Sequence, residues 1–364
     1  MGAKLTSRER FERMYQHRDA DRIPIIDGPW KETIDRWVSE GMPDRDYVKH
    51  FDLDRLGWLS ADNSPRYEYR VIEETDEYTI YTTQWGTTQR SWKAHGSTPE
   101  FLDFTIKSPD TWAAAKARMA PSDDRIDWKS IKENYPKWAA EGYWIVGGLW
   151  FGFDVVHSWA VGTERVLVAM IEEPEWCFDM FNHYLDVHLK LLDKIWDAGY
   201  RFHEVNWPDD MGYKHSQFFS LKVYRELLKP VHKRAIDWAH NKGIPARLHS
   251  CGDINPLLPE LIEIGLDAIN PLEVKAGMDP VALKAKYGDK LVFHGGINAA
   301  LFDKPDLVIP EIERVVPIMK QNGGYIFSSD HSIPESVSFQ NFTRIVEAAK
   351  RVGASNRRHS HEFS

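Results

Sequence analysis

From Arg201 onward the sequence alternates with a regularity that leaves few folds open. Short apolar runs at 201–206, 246–249, 268–272, 291–293 and 325–328 read as strands. Each is followed by a helical pattern, at 221–242, 255–265, 280–287, 306–321 and 338–352. The first half supplies three more apolar runs, at 23–27, 56–60 and 143–150, with helical patterns between them. Eight strand–helix steps with parallel connections predict an α/β chain, a single (β/α)8 TIM barrel over residues 1–353. The polar stretch 354–364 reads as a disordered tail.

One segment breaks the alternation. Tyr67-Glu-Tyr-Arg-Val-Ile-Glu73 and Tyr78-Thr-Ile-Tyr-Thr-Thr83 repeat with period two around Glu74-Thr-Asp-Glu77, which predicts an inserted β-hairpin near 67–92. It is expected to cap the barrel mouth.

The formal net charge of -9 provides no basic face for phosphate contacts and argues against a nucleic-acid partner. Two cysteines, Cys177 and Cys251, exclude a disulfide framework and any four-cysteine zinc site, and fit a reducing, cytoplasmic setting. The longest apolar run, 142–153, falls short of the roughly 18 residues of a membrane span. The polar N-terminus runs into a capping box, Thr6-x-x-Glu9, and not into a signal peptide. Met1-Gly2-x-x-x-Thr6 matches a myristoylation pattern, but the same residues start a helix. Tryptophan is over-used, with 15 residues, and Trp30, Trp150, Trp159 and Trp207 fall near strand ends or loops. An aromatic-walled pocket for a planar or methylated substrate is expected.

In a barrel of this kind chemistry sits at the C-terminal strand tips. The fourth strand brings Glu204, Trp207, Asp209 and Asp210 there, and the fifth brings His249 and Cys251. The sixth gives Asn270 and Glu273, the seventh His294, and the eighth Ser328, Ser329, Asp330 and His331. Adjacent strands lie about 4.8 Å apart, so these side chains can converge. A thiolate, an imidazole and one further N or O ligand make an open catalytic zinc site. Each residue also has a plainer reading. His249 and Cys251 suit a buried histidine and a small apolar cysteine, Asp209 and Asp210 suit helix caps, and Asp330-His331 suits a turn. The joint placement favours function. His359 and His361 read as solvent-exposed.

The stretch from His249 reads His-Ser-Cys-Gly-Asp-Ile-x-x-Leu-Leu-Pro-x-Leu-Ile-Glu-x-Gly-x-Asp-Ala268. With Asn270-Pro-x-Glu273 and Phe293-His-Gly-Gly-Ile297 it resembles the uroporphyrinogen decarboxylase superfamily. That superfamily also contains zinc-dependent methyltransferases that exchange methyl groups with a corrinoid, and the resemblance implies the same barrel. The decarboxylase holds its polycarboxylate substrate with an N-terminal Arg-Gln-Ala-Gly-Arg stretch. The matching region here, Asp27-Gly-Pro-Trp-Lys-Glu-Thr33, lacks that arginine pair.

The methyltransferase branch carries a His-x-Cys pair on the fifth strand, which His249 and Cys251 match. Its further ligand is a cysteine after the eighth strand, where this chain offers Asp330 and His331, with Glu273 and Glu204 in reserve. The resemblance thus implies Zn2+ held by His249, Cys251 and one of His331, Asp330 or Glu273. Asp209, Asp210 and Glu204 are then the acid/base candidates, and Trp30, Trp150, Trp207, Tyr213, His294 and Asn270 the substrate-binding ones. The missing third cysteine points away from a thiol such as coenzyme M and toward a methoxylated or N-methylated small molecule. The chain lacks the Asp-x-His-x-x-Gly corrinoid signature, so a separate corrinoid protein is the expected partner. A homodimer is common in the superfamily. The alternative is a metal-free decarboxylase or lyase of a tetrapyrrole or smaller acid, with Arg66, Arg90 or Arg247 holding the substrate. A catalytically silent ligand-binding barrel is a third reading.

Overall fold

The computed structural model describes residues 4–93 and 98–355. The chain forms two compact units, one of residues 57–137 and 145–266, the other of 1–56, 138–144 and 267 onward. The myristoylation pattern at Met1-Gly2 and the tail with His359 and His361 lie outside the described residues.

The first unit takes over β1 (Leu56–Leu59) at its boundary and continues with β2 (Arg70–Glu74), β3 (Tyr78–Thr82), β4 (Thr87–Trp92) and β5 (Glu100–Phe104). Strands β2 to β5 form one antiparallel sheet in sequence order, longer than the expected hairpin because Glu100-Phe-Leu-Asp-Phe104 adds a fourth strand. Then come β6 (Trp144–Gly148), β7 (Glu204–Pro208), a ribbon of β8 (Gly212–Tyr213) and β9 (Ser216–Gln217), and β10 (Ala246–His249). The parallel strands lie in the order β1-β6-β7-β10, in the register Val146↔Glu204 and Ala246↔Val205. β6 is buried along its whole length, as parallel strands covered on both faces are. Its Gly147 is packed so closely that an added Cβ would lie 2.8 Å from the Phe202 ring.

Between β6 and β7 runs the helix Pro174–Asp197, with proline in its first turn, where no N–H is needed. Its buried stripe, Cys177, Met180, Phe181, Tyr184, Leu185, His188, Leu191 and Ile195, follows helical spacing. Two π-helical turns, Val155–Ala160 and Tyr224–Leu228, interrupt the ordinary helices. Such turns recur at functional sites.

In the second unit β11 (Ala268–Asn270), β12 (Val292–His294) and β13 (Tyr325–Ile326) run parallel in that order. The strand expected at 23–27 is reduced to a single parallel bridge, Ile25↔Phe327. The cause is local. The Ile25 N–H donates to the Asp54 carboxylate at 2.8 Å instead of to a ladder partner, and Pro24 has no N–H to give. Asp54 is itself held by Arg10 at 2.9 Å, inside a buried ion-pair cluster with Asp21 and Arg22.

Seven parallel strands are therefore found among the described residues, linked by helices in a mixed α/β, TIM-barrel-like fold. Among the same residues no helix is long and apolar enough to cross a membrane.

Candidate metal centre

Because β7 and β10 are parallel and in register, with His249 opposite Pro208, their following loops leave from the same end. The two loops are stitched together. Asp209 N–H donates to the His249 carbonyl at 2.7 Å, Met211 N–H to Ser250 Oγ at 3.1 Å, and Asp253 N–H to the Tyr213 carbonyl at 3.0 Å. Cys251 N–H donates to Asp210 Oδ1 at 2.7 Å, and Gln217 Nε2 to the Asp253 carbonyl at 2.8 Å. The crossing is tight at Gly252, whose φ is +82° and where an added Cβ would sit 2.2 Å from the Gly212 carbonyl carbon. Only glycine fits there.

The stitching brings Asp210, His249 and Cys251 together, each offering one ligand atom, all within 4.8 Å of one another. His249 Nε2 lies 3.5 Å from Cys251 Sγ and 3.8 Å from Asp210 Oδ1. All three are half-buried, open enough for a ligand to reach. Burial pushes the Asp210 carboxyl up from its ordinary range, against the pull of the neighbouring His249. Among the described residues this is the one such trio.

The other expected ligands, Asp330, His331 and Glu273, belong to the second unit. The buried Asp330 carboxylate accepts the backbone N–H groups of Ala299 at 2.8 Å and Val274 at 3.1 Å. His331 is exposed, and Glu273 precedes the helical turn Val274–Ala276.

Asp209 is fully buried. It accepts from His232 Nε2 at 2.6 Å and from the Asp154 N–H at 2.7 Å, and the His232 ring lies 3.2 Å from the Tyr224 hydroxyl. Burial pushes its carboxyl up, with His232 opposing. Gly152 makes room for it, since a Cβ there would lie 2.5 Å from Asp209 Oδ2. Asp209 thus ties the loop that carries Asp210 to His232 and to the backbone at Asp154. Glu204 is buried against Arg247, whose Nε lies 2.9 Å away.

Among the expected substrate residues, Trp207 is fully buried against Phe151 and His232, as core. Trp150 is part-exposed and walls a cavity of about 210 Å³ with Ala61, Asp62, Asn63, Trp85 and Trp159. Tyr213 is exposed on the ribbon beside the trio. In the second unit Trp30 caps the helix Lys31–Ser39, and Asn270 Nδ2 reaches the carbonyl of the buried His294 at 3.5 Å.

Sequence reasoning missed a further pair. Asp154 stands at the N-cap of the π-helical turn that carries His157, with His157 Nε2 3.4 Å from Asp154 Oδ1 and Ser158 Oγ donating to the same carboxylate at 3.1 Å. The Asp154 charge also helps push Asp210 up. The available signal was the Asp-x-x-His spacing in the loop after β6, which places both groups on one helical face.

The sequence profile described as Uroporphyrinogen decarboxylase (URO-D) matches residues 155–352, more than half of the 364-residue chain. The chain belongs to the uroporphyrinogen decarboxylase family. Comparison with curated proteins finds no match. Among solved structures, a methyltransferase from Methanosarcina mazei is similar at a TM-score of 0.62, with 15% identity over 95% of this chain and 99% of that one. At that identity the likeness is one of fold. A broad-specificity endoglucanase from Clostridium longisporum aligns at 10% identity over 84% of this chain and 98% of that one, with a TM-score of 0.29. That value carries no argument.

The three arginines expected to hold an acidic substrate in the alternative reading are each ion-paired in this member of the uroporphyrinogen decarboxylase family. Arg66 bonds Asp62 and Asp124, Arg90 pairs with Glu100 at 3.1 Å, and Arg247 pairs with Glu204. Each positive charge already has its carboxylate.

Proposed function

We propose that this chain is a zinc-dependent methyltransferase that moves a methyl group between a small O-methyl or N-methyl substrate and a separate corrinoid protein. The observation that carries the reading is the Asp210–His249–Cys251 trio at the tips of adjacent parallel strands. One imidazole, one thiol and one carboxylate form a three-ligand set that leaves a fourth position open, as catalytic zinc requires. Zinc–sulfur bonds near 2.3 Å and zinc–nitrogen bonds near 2.0–2.1 Å in a tetrahedron set sulfur and nitrogen about 3.5 Å apart. The His249–Cys251 separation of 3.5 Å suits that geometry. The methyltransferase named among the solved structures, with the same fold, supports the same reading.

His249, Cys251 and Asp210 would hold the ion, and zinc supplies Lewis acidity to the heteroatom that loses its methyl group. Asp209, locked by His232 and the Asp154 N–H, keeps the Asp210 loop in place. A partner's reduced corrinoid would supply the nucleophile that accepts the methyl group, which leaves the bonding electron pair on the departing heteroatom. His157, oriented by Asp154, donates a proton to that heteroatom. Asp210 replaces His331, Asp330 and Glu273 as the third ligand in this reading. The committed arginines weigh against the lyase alternative.

Elemental analysis of protein purified without chelator tests the proposal. About one zinc per chain is expected, with loss in His249→Ala, Cys251→Ala and Asp210→Ala. Protein that takes up no zinc on reconstitution would sink it. Zinc-loaded protein should then convert free cob(I)alamin to methylcobalamin, followed by absorbance, with a methylated donor present.

A further inference from the structure

We infer that the cavity walled by Trp85, Trp150 and Trp159 is a recognition site for a methylated ammonium group. The inference deepens the methyl-transfer reading by giving its substrate a chemical class, a molecule anchored by a methylated ammonium apart from the O- or N-methyl group given up at the metal trio, and rests on that reading only for what happens after binding. The cavity holds about 210 Å³, with Ala61, Asp62 and Asn63 completing its lining.

Shape speaks first. The Trp150 and Trp159 rings stand 6.2 Å apart with their planes at 89°. A flat aromatic ring can stack on one of two perpendicular walls but meets the other edge-on. A rounded tetrahedral group lies against both, and Trp85 adds a third indole.

Charge speaks next. Indole faces carry negative potential, and tryptophan is the best aromatic partner for a cation. Asp62 is the one ionisable side chain in the lining. Its carboxylate accepts from the Ser64 hydroxyl at 2.6 Å and the Ser64 N–H at 2.9 Å and pairs with Arg66 and, at 3.6 Å, with Arg125, which keep it ionised below the usual carboxylate range despite burial. Its charge is thus already met, and the negative potential offered to a ligand comes from the indole faces. An anion would meet three indole faces, so this lining selects against one.

The walls are also built before any ligand arrives. Asn63 Nδ2 donates to the Trp150 carbonyl at 2.6 Å and to the Tyr184 carbonyl at 3.2 Å. Phe101 braces Trp159 edge-on at 6.1 Å, and Tyr184 lies 5.6 Å from Trp85. Large indoles held open to solvent by such contacts cost little to order when a ligand binds.

Position connects the cavity to the metal trio. Asp62 and Asn63 follow β1 and Trp150 follows β6, while the trio follows β7 and β10. Two strand spacings separate β6 from β10, roughly 10 Å. A small molecule anchored by its ammonium end in the cavity can extend along the strand tips toward the trio.

The test is binding of choline to the metal-free full-length protein, followed by tryptophan fluorescence and calorimetry. The control ligand is 3,3-dimethyl-1-butanol, which has the same shape without the charge. Choline should bind about tenfold more tightly than the neutral isostere, the ratio that a cation–π contribution near 1.4 kcal/mol yields. Trp159→Ala should lose at least that factor while Trp159→Phe keeps most of it, with unchanged thermal melting in both. Equal binding of the isostere, stronger binding of anisole, or no choline binding at tens of millimolar would overturn the assignment. Choline binding should survive Cys251→Ala, which removes the metal trio. Loss of the zinc function and loss of this site are therefore separable outcomes.

Discussion

Trp150 donates its backbone N–H to Nδ1 of His188 at 3.0 Å, joining a wall of the aromatic cavity to the buried face of the helix Pro174–Asp197. The bond requires a neutral imidazole, because a protonated Nδ1 has no lone pair to accept with. His188 is fully buried, and its Nε2 has no hydrogen-bond partner among the described residues.

Burial pushes His188 down from 6.5 to about 4, with Asp62 pulling the other way. A depressed value means the unfolded chain takes the proton first as pH falls. The stabilisation is whole above pH 6.5 and is lost as pH drops toward 4, on the order of 3 kcal/mol in full and about 2 kcal/mol by pH 5. Urea unfolding at pH 7 and pH 5 should show that loss, and His188→Asn should reduce the difference. An unchanged difference in the variant would assign the pH dependence to other groups.

Asp209 accepts two hydrogen bonds in a site without solvent, so Asp209→Ala strands both donors, His232 Nε2 and the Asp154 N–H. The cost should be roughly 3 kcal/mol in unfolding free energy. Because Asp209 holds the loop of Asp210, zinc affinity should also fall, about ten- to a hundredfold. Asp209→Asn keeps an acceptor for the Asp154 N–H and should lose less of both. A destabilised variant with unchanged zinc affinity would make Asp209 a packing residue alone.

The helices were legible because their signals are local. The expected 280–287 is the observed Pro280–Tyr287, whose Asp279 cap accepts from the Val281 and Ala282 N–H groups next to it. The expected strand at 23–27 fails for a non-local reason, since the Ile25 N–H is taken by Asp54, 29 residues further on. Trp207 stands on a strand buried along nearly all its length, which leaves no alternation to say which way a side chain points.

Two members of the trio were legible because His249 and Cys251 sit two residues apart on one strand tip. Asp210 was seen, but as an acid or base. Its approach depends on the Gly212–Gly252 crossing of two loops, and no spacing in the sequence reports that contact. Trp85 escaped for a similar reason, because it lies in the turn between β3 and β4 and meets Trp150 and Trp159 only through the fold.

His157 offers a proton-transfer group that holds no place in the trio. His157→Gln should therefore keep its zinc and its fold while turnover falls by about 10²–10⁴, the usual range for losing a general acid. The deficit should be smaller for donors whose leaving group needs no proton, which separates proton donation from mere positioning. A uniform loss across such donors would assign His157 a structural part beside Phe153, on which its ring stacks at 4.4 Å.

The two cysteines provide an internal comparison. Cys177 is fully buried in the helix Pro174–Asp197, and burial pushes its thiol up to about 12, so it holds almost no thiolate at neutral pH. Cys251 is half-buried at the strand tip, beside His249. Iodoacetamide on the native, metal-free chain should therefore modify Cys251 and spare Cys177, which mass spectrometry of the peptides reads directly. Zinc added beforehand should protect Cys251, since a coordinated thiolate is a poor nucleophile toward the reagent. In Asp210→Ala that protection should weaken at least tenfold in the zinc concentration required, whereas in His331→Ala it should stay as in the parent. Protection lost in His331→Ala and kept in Asp210→Ala would return the third ligand to the loop after β13 and remove Asp210 from the metal set.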